Sequence, residues 1–160
     1  MEDISLDIPA GSVLGVIGGT GAGKSTLIKL LNHTYDCTEG AITIDGINVQ
    51  NYSDRQLSDL FGIVPQKASL FSGTVASNMR MKDVSASDEV IKSALNIAQA
   101  SDFIEEKGGL EAEVMAKGAN FSGGQRQRLT IARALVSKPK ILVLDDSASA
   151  LDLGTEARFG

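Results

Sequence analysis

Three things are scarce in this sequence: cysteine, positive charge and long apolar runs. Cys37 is the one cysteine, so no internal disulfide can form. Lysine and arginine number 15 against 20 aspartates and glutamates, a formal net charge of −5 with no broad cationic field, which disfavours a nucleic-acid role. No apolar stretch approaches the roughly 18 or more residues of a membrane-spanning helix. Glu2 and Asp3, with no basic residue before the first apolar positions, are unlike the start of a signal peptide. These absences point to the cytoplasm. Internal repeats and low-complexity segments are also lacking. What remains is 160 residues, 42% hydrophobic and 22% charged, enough for one soluble globular domain with a buried core.

Glycine is not scarce, and its densest cluster carries the first chemical signal. Gly18-Gly19-Thr20-Gly21-Ala22-Gly23-Lys24-Ser25-Thr26 fits G-x-x-x-x-G-K-[ST]. Glycines allow backbone angles that other residues avoid, so consecutive N–H groups can turn inward and form an anion-binding concavity. Lys24 adds a positive charge, Ser25 a hydroxyl for Mg²⁺, and a helix beginning there points its positive end at the same place. The context agrees. Val13 to Ile17 reads as a buried strand, and Leu27, Ile28, Leu30 and Leu31 follow at helical spacing. A polyphosphate is the ligand this arrangement calls for.

Taken in order, Ile4, Leu6 and Ile8 alternate with polar residues, which predicts a half-exposed strand closed by a turn at Pro9-Ala10-Gly11. Asn32 to Gly40 reads as a loop. Asp45-Gly46 between Ala41–Ile44 and Ile47–Val49 predicts a hairpin and a small antiparallel sheet. Ser53 can cap a helical turn through Leu60, and Phe61 to Val64 is a short buried strand that places Gln66 just past its end. From Thr74 to Gln99 the pattern is helical, with Ser87 as a cap and Val90, Ile91, Ala94, Leu95 and Ala98 as an apolar face. Residues 108 to 120 look irregular. Phe121 to Gln125 then opens a helix to Val136, and Ile141 to Leu144 is an apolar strand running into Asp145-Asp146. The fold class is α/β with a parallel sheet, carrying a helical insertion over 67–120.

Two further constellations carry chemistry. A carboxylate at the carboxyl end of an apolar strand, Asp145, suits a phosphate-loop enzyme because it can reach a Mg²⁺ held by Ser25. Ser122-Gly123-Gly124-Gln125 fits a capping box, in which Ser and Gln side chains satisfy free N–H groups at a helix start. That explains Ser122 and Gln125 but not the glycines between them, which are poor helix formers. Without side chains they would let a phosphate approach the helix end.

On these residues the chain resembles the nucleotide-binding domain of an ATP-binding cassette (ABC) transporter, most similar to the exporter type. Five ordered segments carry the resemblance: Gly18 to Thr26, Gln66, Phe121 to Gln125, Ile141 to Asp146, and Ser149 to Asp152. The run Leu70-Phe71-Ser72-Gly73-Thr74 after Gln66 is similar to exporters in particular. The resemblance implies a P-loop NTPase core with a parallel sheet, a small antiparallel β-subdomain and a helical insertion. It implies ATP and Mg²⁺ as cofactors, with Ser25, Gln66 and Asp145 at the metal and Gln66 and Asp146 acting in hydrolysis. It also implies a second nucleotide-binding domain paired head to tail. Ser122, Gly123, Gly124, Gln125 and Asp152 would then contact nucleotide bound by the partner. Membrane domains would dock near Gln66 and the helical insertion, which puts the chain on the cytoplasmic side of the cell membrane.

The chain departs from the family in four places. Asp146 stands where the family has a glutamate that acts on the attacking water, one methylene longer. A general base must lie within hydrogen-bond reach, so the site on this chain's phosphate loop is expected to hydrolyse ATP slowly. With its own SGGQ retained, the chain is expected to complete the site of a different, glutamate-bearing partner. No aromatic precedes Tyr35 to stack on adenine, the switch histidine would lie beyond Gly160, and Ala116 stands where exporters commonly show glutamate. His33 follows the phosphate-loop helix, and its interaction with the helix's negative end is the ordinary explanation. The simplest expectation is a cassette incomplete at both ends. Rival readings are a soluble ABC-type ATPase of translation or DNA repair, a non-hydrolysing nucleotide-gated binding module, and a small-molecule P-loop kinase. The last leaves the SGGQ helix unexplained.

Overall fold

The computed structural model describes residues 5–14, 24–31, 33, 36–65 and 67–145. They fall in two compact units, one from residues 1–60 and one from 61–159. Each is described by itself.

In the first unit the helix α1 spans Lys24–Leu31, where helical spacing of Leu27, Ile28, Leu30 and Leu31 predicts it. The hairpin at Asp45-Gly46 forms as expected. Thr43–Ile44 (β1) pairs antiparallel with Ile47–Asn48 (β2), and Asp45 and Gly46 both take positive φ, 52° and 77°. That is the backbone twist a two-residue hairpin requires, and it favours Asp-Gly. The Tyr52 hydroxyl donates to the Ile44 carbonyl at 2.9 Å, holding the hairpin against the turn that follows. Ser53 caps α2 (Asp54–Leu60): its hydroxyl accepts from the Gln56 N–H at 3.1 Å, and the Gln56 side chain accepts from the Ser53 N–H at 2.8 Å. The turn at Pro9 to Ser12 is present, with the Ser12 N–H donating to the Pro9 carbonyl at 3.1 Å.

The strand expected over 4–8 does not form at the described positions. Residues 5–8 lack strand structure, and Leu6 and Ile8 are exposed. Val13 and Leu14 likewise lack strand structure and are exposed, while 15–17 lie outside the described residues. Alternation alone does not make a strand; a hydrogen-bonded neighbour must meet it, and residues 5–14 have none among the described residues.

The second unit is built on one parallel strand pair and a layer of helices. Phe61–Val64 (β3) pairs with Ile141–Leu144 (β6) in register Phe61↔Ile141 through Val64↔Leu144. β3 is mostly buried, as expected, whereas β6 is half-buried throughout. β6 meets only β3 among the described residues, so its other edge lacks the cover that a central parallel strand receives.

The helical stretch expected from Thr74 to Gln99 is two helices separated by a turn. Gly73–Thr74 (β4) makes a short antiparallel pair with Glu113–Val114 (β5), a pairing that was expected from neither segment. Val75–Met79 (α3) starts from a capping box between Thr74 and Ser77. The chain then turns at 80–87, where Arg80 pairs with Asp88 at 2.6 Å and donates from Nε to the Ala86 carbonyl at 2.9 Å. Asp88–Ile97 (α4) is capped by Ser87, as predicted. Its expected face is the one buried: Ile91, Ala94, Leu95 and Ala98 are inside and Val90 packs at the margin. Ser101–Glu106 (α5) follows, and Gly123–Val136 (α6) is the helix predicted from Phe121 onward. α4 and α6 pack side by side, with Leu129, Ile131 and Val136 of α6 fully buried in the core. Among the described residues no helix is long and apolar enough to cross a membrane.

Candidate functional site

Asp145 is the first candidate with a defined place. Its N–H donates to the Val64 carbonyl at 3.0 Å, one residue beyond the paired strands, so the β3–β6 ladder continues to the strand's carboxyl end. The parallel register makes β3 and β6 leave the sheet at the same end, through Pro65 and Asp145. Gln66 and Asp146 follow directly in the chain and lie outside the described residues. Crevices at the carboxyl ends of parallel strands are where ligands bind in such sheets. A carboxylate there is a hard oxygen donor of the kind Mg²⁺ takes.

The second candidate is the start of α6. Ser122 has the extended dihedrals of an N-cap, and its hydroxyl accepts from the Gln125 N–H at 3.1 Å while the Gln125 side chain accepts from the Ser122 N–H at 3.0 Å. The capping box read from the sequence is therefore present. It uses the donors of residues 122 and 125 and leaves the N–H groups of Gly123 and Gly124, which have no acceptor inside a helix. Both glycines are exposed.

Their lack of side chains is not a requirement of the fold. A Cβ built on Gly124 meets nothing within 4 Å, and one on Gly123 meets only an Arg126 guanidinium nitrogen at 3.9 Å. Elsewhere glycine is required. A Cβ on Gly62 would lie 2.7 Å from the Pro139 ring, and one on Gly118, whose φ is +68°, would lie 2.9 Å from both Arg126 Cδ and Leu70 Cδ1. Glycine in a helix is less favourable than alanine by about 0.8–1.0 kcal/mol. The space over Gly123 and Gly124 is open, beside two N–H groups at a positive helix end. A phosphate oxygen fits that chemistry.

The first turn of α6 contains no acidic residue. It contains Arg126 instead, a cation near the helix end that normally favours anions. Arg126 donates to the Phe121 carbonyl at 2.8 Å and, from the same nitrogen, to the Gly118 carbonyl at 3.5 Å. The loop it grips is held from two further sides. Lys107 donates to the Asn120 carbonyl at 3.1 Å and lies 4.9 Å above the centre of the Phe121 ring. The Asn120 side chain bonds the Met115 N–H at 3.0 Å and the Glu113 carbonyl at 2.8 Å. Phe121 itself is buried edge-on against Phe103. Sequence reasoning missed this scaffold, although an arginine in place of an acid at a helix start was a legible sign. Farther along α6, burial lowers the Arg133 pKa from its usual value, and its guanidinium lies 3.7 Å from the Met81 sulfur.

The remaining predicted site residues are not brought together by described geometry. Lys24, Ser25 and Thr26 form the first turn of α1, and Gly18, Gly19, Thr20, Gly21, Ala22 and Gly23 lie outside the described residues, as does Asp152. A groove of about 340 Å³ between α4 and the end of α6, lined by residues including Val90, Ile97, Leu135 and Pro139, contains none of them.

A family model described as ABC transporter matches residues 1–149. An uncharacterized ABC transporter ATP-binding protein of Mycobacterium tuberculosis is 45% identical over 161 residues, covering 99% of this chain and 28% of that protein. A beta-(1→2)glucan export ATP-binding/permease protein of Bradyrhizobium diazoefficiens is 42% identical over 158 residues, covering 99% of this chain and 26% of that protein. Among solved structures, a bacterial Atm1-family ABC exporter with ATP bound superimposes with a TM-score of 0.78 at 40% identity, covering 88% of this chain and 25% of that one. The chain thus spans between a quarter and 28% of the length of these relatives.

Proposed function

Because the chain belongs to the ABC transporter family, we propose that it is the ATP-binding part of an exporter and works as one half of a head-to-tail pair. Export is supported by the glucan-export relative and the Atm1-family exporter, each matched across most of this chain. The composite site is supported by one observation above all: the start of α6 carries two exposed glycines for which the fold has no need. In this reading Ser122, Gly123 and Gly124 touch the γ-phosphate of ATP held on a partner's phosphate loop, and Gln125 and Asp152 contact the same nucleotide.

This chain's own nucleotide would be held by the backbone of Gly18 to Thr26 and by Lys24. Ser25, Gln66 and Asp145 supply oxygen donors for Mg²⁺, which neutralises charge on the phosphates when bound. Gln66 and Asp146 orient the attacking water. Asp146 reaches one methylene less far than glutamate, so this half of the pair binds ATP and turns it over slowly. The fitting partner is a different chain that keeps glutamate, making a heterodimer. Membrane domains dock on the surface near Gln66 and the helical segment 67–120, on the cytoplasmic face of the cell membrane. Nothing in the charge calls for nucleic acid.

The test uses the full-length protein with its membrane domains, alone and with a glutamate-bearing partner, and measures MgATP binding and phosphate release. We expect binding in both cases and fast release only in the mixture. Asp146→Glu should raise the turnover of the protein assayed alone by roughly tenfold or more. Strong release by the unpartnered wild type, or no gain from Asp146→Glu in an intact dimer, overturns the weakened-site reading.

A further inference from the structure

We infer that Arg126 is a positioning residue for the composite site: it ties the loop 118–121 to α6 and so fixes where the Ser122–Gly124 donors stand. The inference rests on the reading that this helix start meets a partner's γ-phosphate. Three observations carry it. One guanidinium nitrogen bridges the Phe121 and Gly118 carbonyls, at 2.8 and 3.5 Å, and Phe121 is the residue immediately before the cap. The stem of the same side chain presses on Gly118, where a Cβ would come within 2.9 Å of Arg126 Cδ. Lys117 and Gly118 both adopt positive φ, 57° and 68°, so the loop takes a backbone shape that its own sequence favours only at the glycine.

The electrostatics run the same way. No ion pair joins Arg126 to a carboxylate among the described residues. A fixed positive charge in the first turn is unfavourable for an isolated helix, and becomes favourable when an anion arrives at that end. Lys107 and Asn120 hold the loop's other carbonyls and N–H groups. Arg126 joins the loop to the helix carrying the glycines. Its effect is on the geometry of the two N–H donors, which a ligand meets only when the pair closes. Loss of that geometry should therefore slow the closed state's chemistry without weakening nucleotide capture on the phosphate loops. A displacement of about 1 Å at a reacting group costs up to 10²-fold, and a partial loosening should cost about tenfold.

The experiment compares Arg126→Met, Arg126→Lys and Gly124→Asp in the full-length heterodimer. Each is read by ATPase kcat and KM, by binding of a fluorescent ATP analogue and by thermal melting. Arg126→Met keeps the stem against Gly118 and removes both hydrogen bonds. We expect kcat about tenfold lower, with KM and analogue binding unchanged and melting within a degree or two of wild type. Wild-type kcat, or a fall in kcat that tracks a fall in melting temperature, overturns the inference. Should Arg126→Met not fold, Arg126→Lys decides: one ammonium cannot copy the planar fork, so lowered kcat at unchanged KM is expected and wild-type kcat overturns it. Gly124→Asp tests the underlying reading. If it leaves turnover intact, the composite site fails and the inference with it. If it abolishes turnover while the Arg126 variants do not lower kcat, only the positioning role fails.

Discussion

Replacing Gly124 by alanine should make the protein more stable and less active at once. Gly124 is the second residue of α6, already in helical geometry, so alanine fits without backbone strain. The added methyl meets nothing within 4 Å, so no packing cost offsets the gain. Reduced freedom of the unfolded chain and better helix propensity together stabilise by about 0.5–1 kcal/mol. If the α6 amides exchange through opening of that helix, the gain should appear as roughly two- to fivefold slower hydrogen exchange across 126–136 in the full-length protein. The same methyl occupies the space that a partner-bound phosphate oxygen would use, so turnover at the composite site should fall by about 10²-fold. Native-state hydrogen exchange and phosphate release on one preparation check both halves. Faster exchange would show that the space above Gly124 is not open. Slower exchange with wild-type turnover would show that the glycine does not serve a ligand, and the case for a second phosphate seat on α6 would be lost.

Two further substitutions test the packing around the strand pair and the helical segment. Gly62→Ala should destabilise by about 1–3 kcal/mol, because its Cβ would sit 2.7 Å from Pro139 Cγ and 3.2 Å from the Ala134 carbonyl; a lowered denaturation midpoint checks it, and no change would place Pro139 elsewhere. Asn78 is 2% exposed and bonds the Phe71 N–H and the Phe71 and Thr74 carbonyls at 2.8–3.0 Å. Asn78→Ala strands those groups and should cost about 2–4 kcal/mol, read as a loss of exchange protection at Phe71 together with a lower midpoint.

What the sequence revealed was whatever is decided within a few residues. Asp45-Gly46 dictates its hairpin, Ser53, Ser87 and Ser122 each cap the helix they precede, and the face of α4 follows from spacing. Features that need a distant partner were hidden. The β4–β5 pair joins Gly73 to Val114 across some forty residues and is two residues long, too short to show as alternation. The half-burial of β6 depends on what lies beside it, which no local pattern reports. The alternation at Ile4 to Ile8 misled for the same reason. Motif spacing also placed the capped start of α6 and the strand that runs into Asp145 where the structure has them. Arg126 left only a cation at a helix start as its sign, and what it holds there are carbonyls, which every residue has.

The bond from Asp145 to Val64 has a mechanical meaning. It makes the segments after β3 and β6 share one root, so that Pro65 and Asp145 are two ends of a single lever rather than two loose loops. Each segment's first residue is therefore placed by the neighbouring strand as well as by its own.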